Sequence, residues 1–217
     1  MIIIPGSNSP GLASKLSIIT GCELAKVSAR KFPDGEKYAR IDTDLRGKKA
    51  AIVQTCYPNQ NDSLMEIILL ADAAQERGAG STIAVIPYMA YSRQDKNFQN
   101  GEAVGLRAAL RMLKSAGLST IITFDAHFQK GTGVHEVHGI EVVNLSAGRI
   151  LLEEAIKKLG EDILTIGPDL GASGMITYAT GKPQVMKKHK ICPNCKKAAA
   201  ECICTDERKE YVVDDLQ

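Results

Sequence analysis

Four short segments collect the side chains best suited to a charged phosphate and a cation: Tyr91-Ser92-Arg93-Gln94-Asp95, Asp125-Ala126-His127, Pro168-Asp169-Leu170-Gly171 and Asp214-Asp215. A guanidinium forks onto phosphate oxygens and an amide can read a base or a ribose, chemistry open to Arg93 and Gln94. A neutral imidazole such as His127 ligates a divalent ion or donates to a phosphate. Taken singly, each segment has a plainer reading: a solvated polar loop around Arg93, a satisfied structural histidine at His127. Phe32-Pro33-Asp34-Gly35-Glu36 is by itself a surface turn, because Pro-Asp-Gly supplies turn conformations. Lys187, Lys188, His189 and Lys190 form a basic run, and such runs are usually solvated faces. His135 and His138 make an H-x-x-H pair, but Gly133 and Gly139 around them indicate a loop rather than a metal site.

The six cysteines divide into two kinds. Cys22 and Cys56 stand alone in core-like sequence. Cys192, Cys195, Cys202 and Cys204 crowd into one polar segment as C-x2-C-x6-C-x-C. In a reducing compartment such a cluster is read as metal ligation before disulfides. Four thiolates can wrap one tetrahedral zinc ion, although the tight C-x-C half strains that geometry. An iron–sulfur cluster and four free thiols are the other readings.

These segments need elements to position them. Short apolar runs at Met1–Ile4, Ala50–Gln54, Ser81–Pro87, Thr120–Phe124, Asp162–Gly167 and Tyr211–Val213 have the character of buried parallel strands. Between them, helices are predicted from about Pro10, from an Asp62 or Ser63 cap through Leu64, Ile67, Ile68 and Ala71 up to Gly78, over Val104–Ser115, and over Ser146–Leu159. Strands alternating with helices imply βαβ units and an open, mostly parallel sheet with helices on both faces. Ligands then bind beyond the carboxyl ends of the strands, which is where all four segments fall. By placement alone they describe a phosphate-and-metal site.

Composition excludes several classes. With 217 residues, 44% hydrophobic and 24% charged, the chain is ordinary globular material. A net charge of +2 gives no argument for nucleic acid or membrane partners. No run approaches a membrane span, and MIIIPGSNSP lacks a signal-peptide pattern, so a cytoplasmic location is expected. From Val142 onward only about 75 residues remain, fewer than a doubly wound domain usually needs.

Phe32–Glu36, Ile86-Pro87-Tyr88 with Tyr91–Asp95, Asp125–His127, Gly167–Gly171 and Val212–Leu216 occur in this order over nearly the whole chain. Together they resemble the successive signatures of the ribose-phosphate pyrophosphokinases (phosphoribosyl pyrophosphate synthetases). The resemblance implies two phosphoribosyltransferase-like doubly wound α/β domains, the second incomplete. They would be an N-terminal domain over 1–141 and a partial C-terminal one over 142–217, with a Lys/Cys-rich flap insert at about 185–210. It further implies transfer of pyrophosphate from Mg-ATP to the 1-hydroxyl of ribose 5-phosphate.

Carried over residue by residue, Asp34, Gly35 and Glu36 would contact nucleotide in a neighbouring subunit, which implies a homo-oligomer. Arg93, Gln94 and His127 would bind ATP, and His127 with Asp169 would hold its Mg²⁺. Lys188 and Lys190 would stabilise the transferring group, while Asp214, Asp215 and Lys190 would hold the ribose phosphate. Cys192, Cys195, Cys202 and Cys204 have no such counterpart, and zinc there would stiffen or redox-gate the flap.

Three departures qualify the carry-over. Lys190 stands where the family has Arg and cannot form its bidentate fork. Gly171-Ala172-Ser173-Gly174 lacks the family's second adjacent Gly and following Arg-Ala. The chain stops at Gln217, before the loop whose N–H groups cradle the sugar phosphate, so a fragment of a longer enzyme is expected rather than a short paralogue. The alternative is a catalytically impaired, synthetase-like regulatory or scaffold subunit. A phosphoribosyltransferase of the same fold is disfavoured by Phe32–Glu36 and Arg93-Gln94.

Overall fold

The computed structural model describes residues 1–129, 131–161, 163, 165, 173–180, 185–187 and 213–215. It divides into two compact units, 1–145 and 146–217.

The first unit is built on a seven-stranded sheet. Its strands are β1 (Ile2–Pro5), β2 (Glu23–Leu24), β5 (Lys49–Val53), β6 (Ser81–Val85), β7 (Leu118–Phe124), β8 (Gly133–Val137) and β9 (Ile140–Leu145), in the order β2-β1-β5-β6-β7-β9-β8. All neighbours are parallel except β8, which runs antiparallel to β9 at one edge. The mostly parallel α/β architecture expected from the sequence is therefore present.

Alternation along the strands separates two cores. Ile2, Ile4, Ala50, Ile52, Ala84 and Ile121 point to one face, where helices α2 (Gln60–Glu76) and α3 (Gly105–Ser115) cover them with Ile67, Leu70, Leu106, Leu110 and Leu113. Ile3 and Val53 point to the other, against Ala13 and Leu16 of α1 (Pro10–Thr20). This alternation is the period-2 geometry of a strand.

Helix α2 begins one turn before the expected Asp62 or Ser63 cap, with Asn59 at its N-cap. Its end is as predicted: Gly78 is left-handed at φ 80°, and the Gly78 and Ala79 N–H groups return to the Gln75 and Ala74 carbonyls, a Schellman closure.

Two hairpins escaped the sequence reading. Strands β3 (Val27–Lys31) and β4 (Lys37–Ile41) form an antiparallel ribbon packed on α2, with Phe32–Glu36 as its tip. The H-x-x-H segment is not a loop: His135 lies on β8, and His138 with Gly139 makes the two-residue turn into β9, both at positive φ. That is a type I′ hairpin turn, whose twist suits the strands. With β9 paired to β7, the first unit runs to Leu145 rather than ending at 141.

In the second unit, α4 (Gly148–Leu159) and α5 (Ser173–Thr180) are followed by β10 (Val185–Lys187) and β11 (Val213–Asp215), an antiparallel pair. Of the strand predicted over 162–167 only 163 and 165 are among the described residues, and most of the flap insert lies outside them. Among the described residues no helix is long and apolar enough to cross a membrane.

Candidate functional site

Parallel strands β1, β5, β6 and β7 all end at the same edge of the sheet, and the candidate residues leave from there. Strand β1 is followed by Gly6-Ser7-Asn8-Ser9, β5 by Gln54-Thr55-Cys56-Tyr57, β6 by the long segment through Arg93 and Gln94, and β7 by Asp125-Ala126-His127.

A buried carboxylate organises the first two of these loops. Glu66, on α2, is fully buried. Its Oε1 accepts the Ser7 N–H at 2.6 Å and Gln54 Nε2 at 3.2 Å; its Oε2 accepts Ser7 Oγ at 2.7 Å and pairs with Lys37 Nζ at 2.5 Å. Gln54, also fully buried, accepts the Asn8 N–H through Oε1 at 2.9 Å. Asn8 Nδ2 in turn donates to Ser63 Oγ at 2.7 Å. Burying a charge without such partners would be costly. Gly6 is required here by space, since a Cβ would lie 2.4 Å from Gln54 Oε1. Sequence reasoning missed Glu66, because a Glu in an amphipathic helix is ordinarily assigned to the solvated face. The one available signal was its place on the same helix face as the apolar Leu64, Ile67 and Leu70.

The segment after β6 is folded on itself. Tyr91 sits in the left-handed region at φ 62°, and its hydroxyl donates to Asn61 Oδ1 at 2.5 Å. The Gln94 N–H bonds the Tyr91 carbonyl, and the Gln94 carbonyl receives the Leu106 N–H at the start of α3. Gln94 lies across Gly105, where a Cβ would come within 2.5 Å of Oε1. Arg93 and Gln94 are both exposed. Glu102 closes the far end by accepting the Phe98 and Gln99 N–H groups at 2.7 and 3.0 Å.

After β7 the chain turns sharply at Asp125, a non-glycine residue at φ 45°. Buried Asn144 on β9 holds the loop at two points, Oδ1 accepting the Ala126 N–H at 3.0 Å and Nδ2 donating to the Gly131 carbonyl at 2.6 Å. Between these points His127 is exposed, as is Asp125. An exposed carboxylate and imidazole two residues apart suit a Mg²⁺ ion that takes most of its ligands from phosphate and water. Among the described residues there is no group of three or more His, Cys, Asp or Glu disposed to hold a metal by itself.

The β3–β4 tip carries Asp34, Gly35 and Glu36. The Phe32 N–H bonds the Glu36 carbonyl at 2.8 Å, the Glu36 N–H bonds Asp34 Oδ1 at 3.1 Å, and Gly35 takes φ 98°. The Arg30 guanidinium lies 5.1 Å from the Phe32 ring and 4.7 Å from that of Tyr38, and the two rings meet edge to face at 5.8 Å. No hydrogen bond or ion pair among the described residues joins this tip to Arg93, Gln94 or His127.

Asp214 and Asp215 lie on β11, opposite Met186 and Val185 of β10. They are thus part of an antiparallel pair rather than the end of a parallel strand. Lys188 and Lys190 follow directly on β10 in the chain but, like Asp169, Cys192, Cys195, Cys202 and Cys204, lie outside the described residues.

Residues 1–117 match a family model described as the N-terminal domain of ribose phosphate pyrophosphokinase. A ribose-phosphate pyrophosphokinase 1 of Archaeoglobus fulgidus is 30% identical over 217 residues, covering 100% of this chain and 70% of the relative. This chain belongs to the ribose-phosphate pyrophosphokinase family. The family enzyme of Methanothermobacter thermautotrophicus is 31% identical, over 99% of this chain and 75% of its own length. That of Methanopyrus kandleri is 38% identical over 173 residues, 79% of this chain and 58% of the relative. The crystal structure of phosphoribosylpyrophosphate synthetase from Mycobacterium smegmatis superimposes with a TM-score of 0.74 at 25% identity, covering 88% of this chain and 65% of that one. The chain spans 56 to 58% of the length of several of these pyrophosphokinase relatives.

Proposed function

We propose that this member of the ribose-phosphate pyrophosphokinase family transfers the pyrophosphoryl group of Mg-ATP to ribose 5-phosphate. The anomeric 1-hydroxyl oxygen forms a bond to the β-phosphorus while the β-phosphorus bond to the α,β-bridging oxygen breaks. AMP departs with that oxygen, the hydroxyl proton passes to solvent, and phosphoribosyl pyrophosphate remains.

The observation that supports this reading is that the segment bearing Arg93 and Gln94 and the one bearing Asp125 and His127 follow the adjacent parallel strands β6 and β7 at one edge of the sheet. In this reading Arg93 grips ATP phosphate and Gln94 reads the nucleoside. His127 orients the nucleotide phosphates and, with Asp169, holds Mg²⁺, which when bound neutralises charge on the phosphate oxygens. Asp34, Gly35 and Glu36 contact nucleotide held by a neighbouring subunit of a cytoplasmic homo-oligomer. Lys188 and Lys190 stabilise the transferring group, and Asp214 and Asp215 hold the ribose hydroxyls. Such chemistry asks for positioning and charge neutralisation more than for covalent participation by the protein.

The test is incubation of the protein with Mg-ATP and ribose 5-phosphate, with AMP and phosphoribosyl pyrophosphate as readouts. Lys188→Ala is expected to lower turnover by roughly 10²–10³, the range for a single preorganised donor. Mg-ATP binding without product would mean either a fragment of a longer enzyme or the synthetase-like regulatory or scaffold subunit, and extending the gene past Gln217 would separate the two. If neither turnover nor Mg-ATP binding is seen, both readings fail. Zinc at Cys192, Cys195, Cys202 and Cys204 is a separate proposal: metal analysis of purified protein should give one zinc per chain, lost in Cys192→Ser.

A further inference from the structure

Lys31 and Lys37 are register partners where the β3–β4 ribbon opens into its tip. Residues directly opposite in an antiparallel pair share a face, and like charges placed so destabilise it. Helix α2 answers both. Lys31 Nζ lies 2.8 Å from Asp62 Oδ2, and Lys37 Nζ lies 2.5 Å from Glu66 Oε2. Asp62 and Glu66 are four residues apart and therefore neighbours along one face of the helix. The tip is thus held on both of its strands by two carboxylates one helical turn apart.

The two pairs are unlike. The Lys31 and Asp62 side chains are 52% and 36% exposed, those of Lys37 and Glu66 13% and 0%. An exposed pair gives little orientation. The buried one sits beside Leu64, Ile67 and Leu70 of the helix, and a buried ion pair as a whole is often matched in stability by apolar side chains replacing both partners. What the ionic arrangement supplies is direction. Glu66 receives Lys37 from the hairpin, Ser7 from the loop after β1 and Gln54 from the end of β5.

We infer that Lys37 and Glu66 are positioning residues for the nucleotide-reading tip. Through them the Phe32–Glu36 tip and the Ser7–Asn8 loop at the carboxyl edge of the sheet are held as one unit. This rests on the reading of Asp34, Gly35 and Glu36 as nucleotide contacts. A tip that serves a neighbouring subunit must keep its angle without support from the nucleotide of its own subunit, and the Lys37–Glu66 contact supplies that angle.

The experiment compares the full chain with its Lys37→Met, Glu66→Gln and Lys37→Arg variants, using two readouts. Amide hydrogen exchange of Phe32, Gly35 and Glu36 reports the clamp whether or not any nucleotide binds. It is expected to rise at least ~10-fold in Lys37→Met and Glu66→Gln, with β5 to β7 unchanged, as for a local opening. The second readout is the preference for Mg-ATP over Mg-GTP in binding. It is expected to fall roughly 10-fold, about 1.4 kcal/mol of discrimination, and to recover in Lys37→Arg. A merely structural lesion would weaken both nucleotides alike. Lys37→Gln, which keeps a donor toward Glu66, carries the test should Lys37→Met not fold.

Unchanged tip exchange in both charge-removing variants overturns the clamp. A loosened tip with an unchanged ATP-to-GTP ratio overturns the positioning role and leaves the proposed reaction standing. A wild-type protein that binds neither nucleotide overturns the proposed reaction and the positioning role together, and the exchange data still decide whether the clamp exists.

Discussion

Asn144 Oδ1 accepts the N–H of Ala126 at 3.0 Å, so a side chain from β9 sets the path of the backbone that presents His127. The same amide donates to the Gly131 carbonyl and closes the loop from the other side. Asn144→Leu keeps the branched shape, at a larger volume, but leaves both backbone groups without this partner. The expected loss is about 1–3 kcal/mol, from the buried Ala126 N–H left unpaired, since the exposed Gly131 carbonyl can turn to water; it is read as a lower urea midpoint. Mg-ATP affinity should fall with it if His127 serves the nucleotide. Unaltered stability would mean that water replaces Asn144 at both ends.

Gly6→Ala tests the packing beneath the carboxyl edge of the sheet. Its Cβ would meet Gln54 at 2.4 to 2.7 Å, and Gln54 is fully buried with hydrogen bonds to Asn8 and Glu66. Overpacking costs typically about 1–3 kcal/mol, and displacing Gln54 adds unpaired polar groups. Thermal unfolding should register the loss, and Gln54→Ala in the same chain should relieve only part of it, because the Cβ at position 54 still lies 2.7 Å from the new methyl group and the polar defect remains.

Gly105→Ala has the opposite expectation. The clash is with the exposed Gln94 side chain and with Tyr91, at 2.5 and 3.0 Å. Gln94 can move away, and at the first residue of α3 Ala gains only part of the ~1 kcal/mol advantage over Gly that holds in a helix interior. Stability should change little, while Mg-ATP binding should weaken because Gln94 can no longer lie across the start of α3. Equal ATP affinity in the two proteins would remove Gln94 from the proposed nucleotide contacts.

The Lys31–Asp62 pair predicts a pH signature. The Lys31 ammonium, chiefly through its hydrogen bond, holds the Asp62 carboxyl below the usual carboxylate range. A lowered folded pKa contributes stability above the unfolded value, about 3.9 for Asp, and that contribution is lost as pH falls through the folded value. The melting temperatures of wild type and Asp62→Asn should therefore differ most between pH 5 and 7, roughly one unit and more above that value, and converge in acid. A gap that widens in acid would contradict the assignment.

Legibility in the sequence followed the physics of each element. The all-apolar runs Ile2–Ile4 and Ile52–Val53 needed no partner to be recognised, since strands covered on both faces must be apolar throughout. The hairpin at Val27–Ile41 was hidden because its strands mix charged, small and aromatic residues, and Arg30, Lys31 and Arg40 break any apolar period. The His135–His138 segment was hidden for a related reason: glycines suggested a loop, while the left-handed His138-Gly139 pair in fact makes the tightest hairpin turn.

By itself the sequence determined which residues could handle phosphate and cation, that Arg93, Gln94 and His127 leave the carboxyl ends of parallel strands, and the family to which they belong. Those features are local in the chain: residue type, spacing and hydrophobic period. Tertiary structure alone decided that Glu66 turns inward, that Lys37 reaches it from a ribbon nearly thirty residues away, and that Asn144 shapes the His127 loop. Those depend on which groups meet across the fold. A carboxylate or an amide has no inside or outside until its donors arrive from other elements, and hydrogen bonds of 2.5 to 3.2 Å are then strong enough to hold it there.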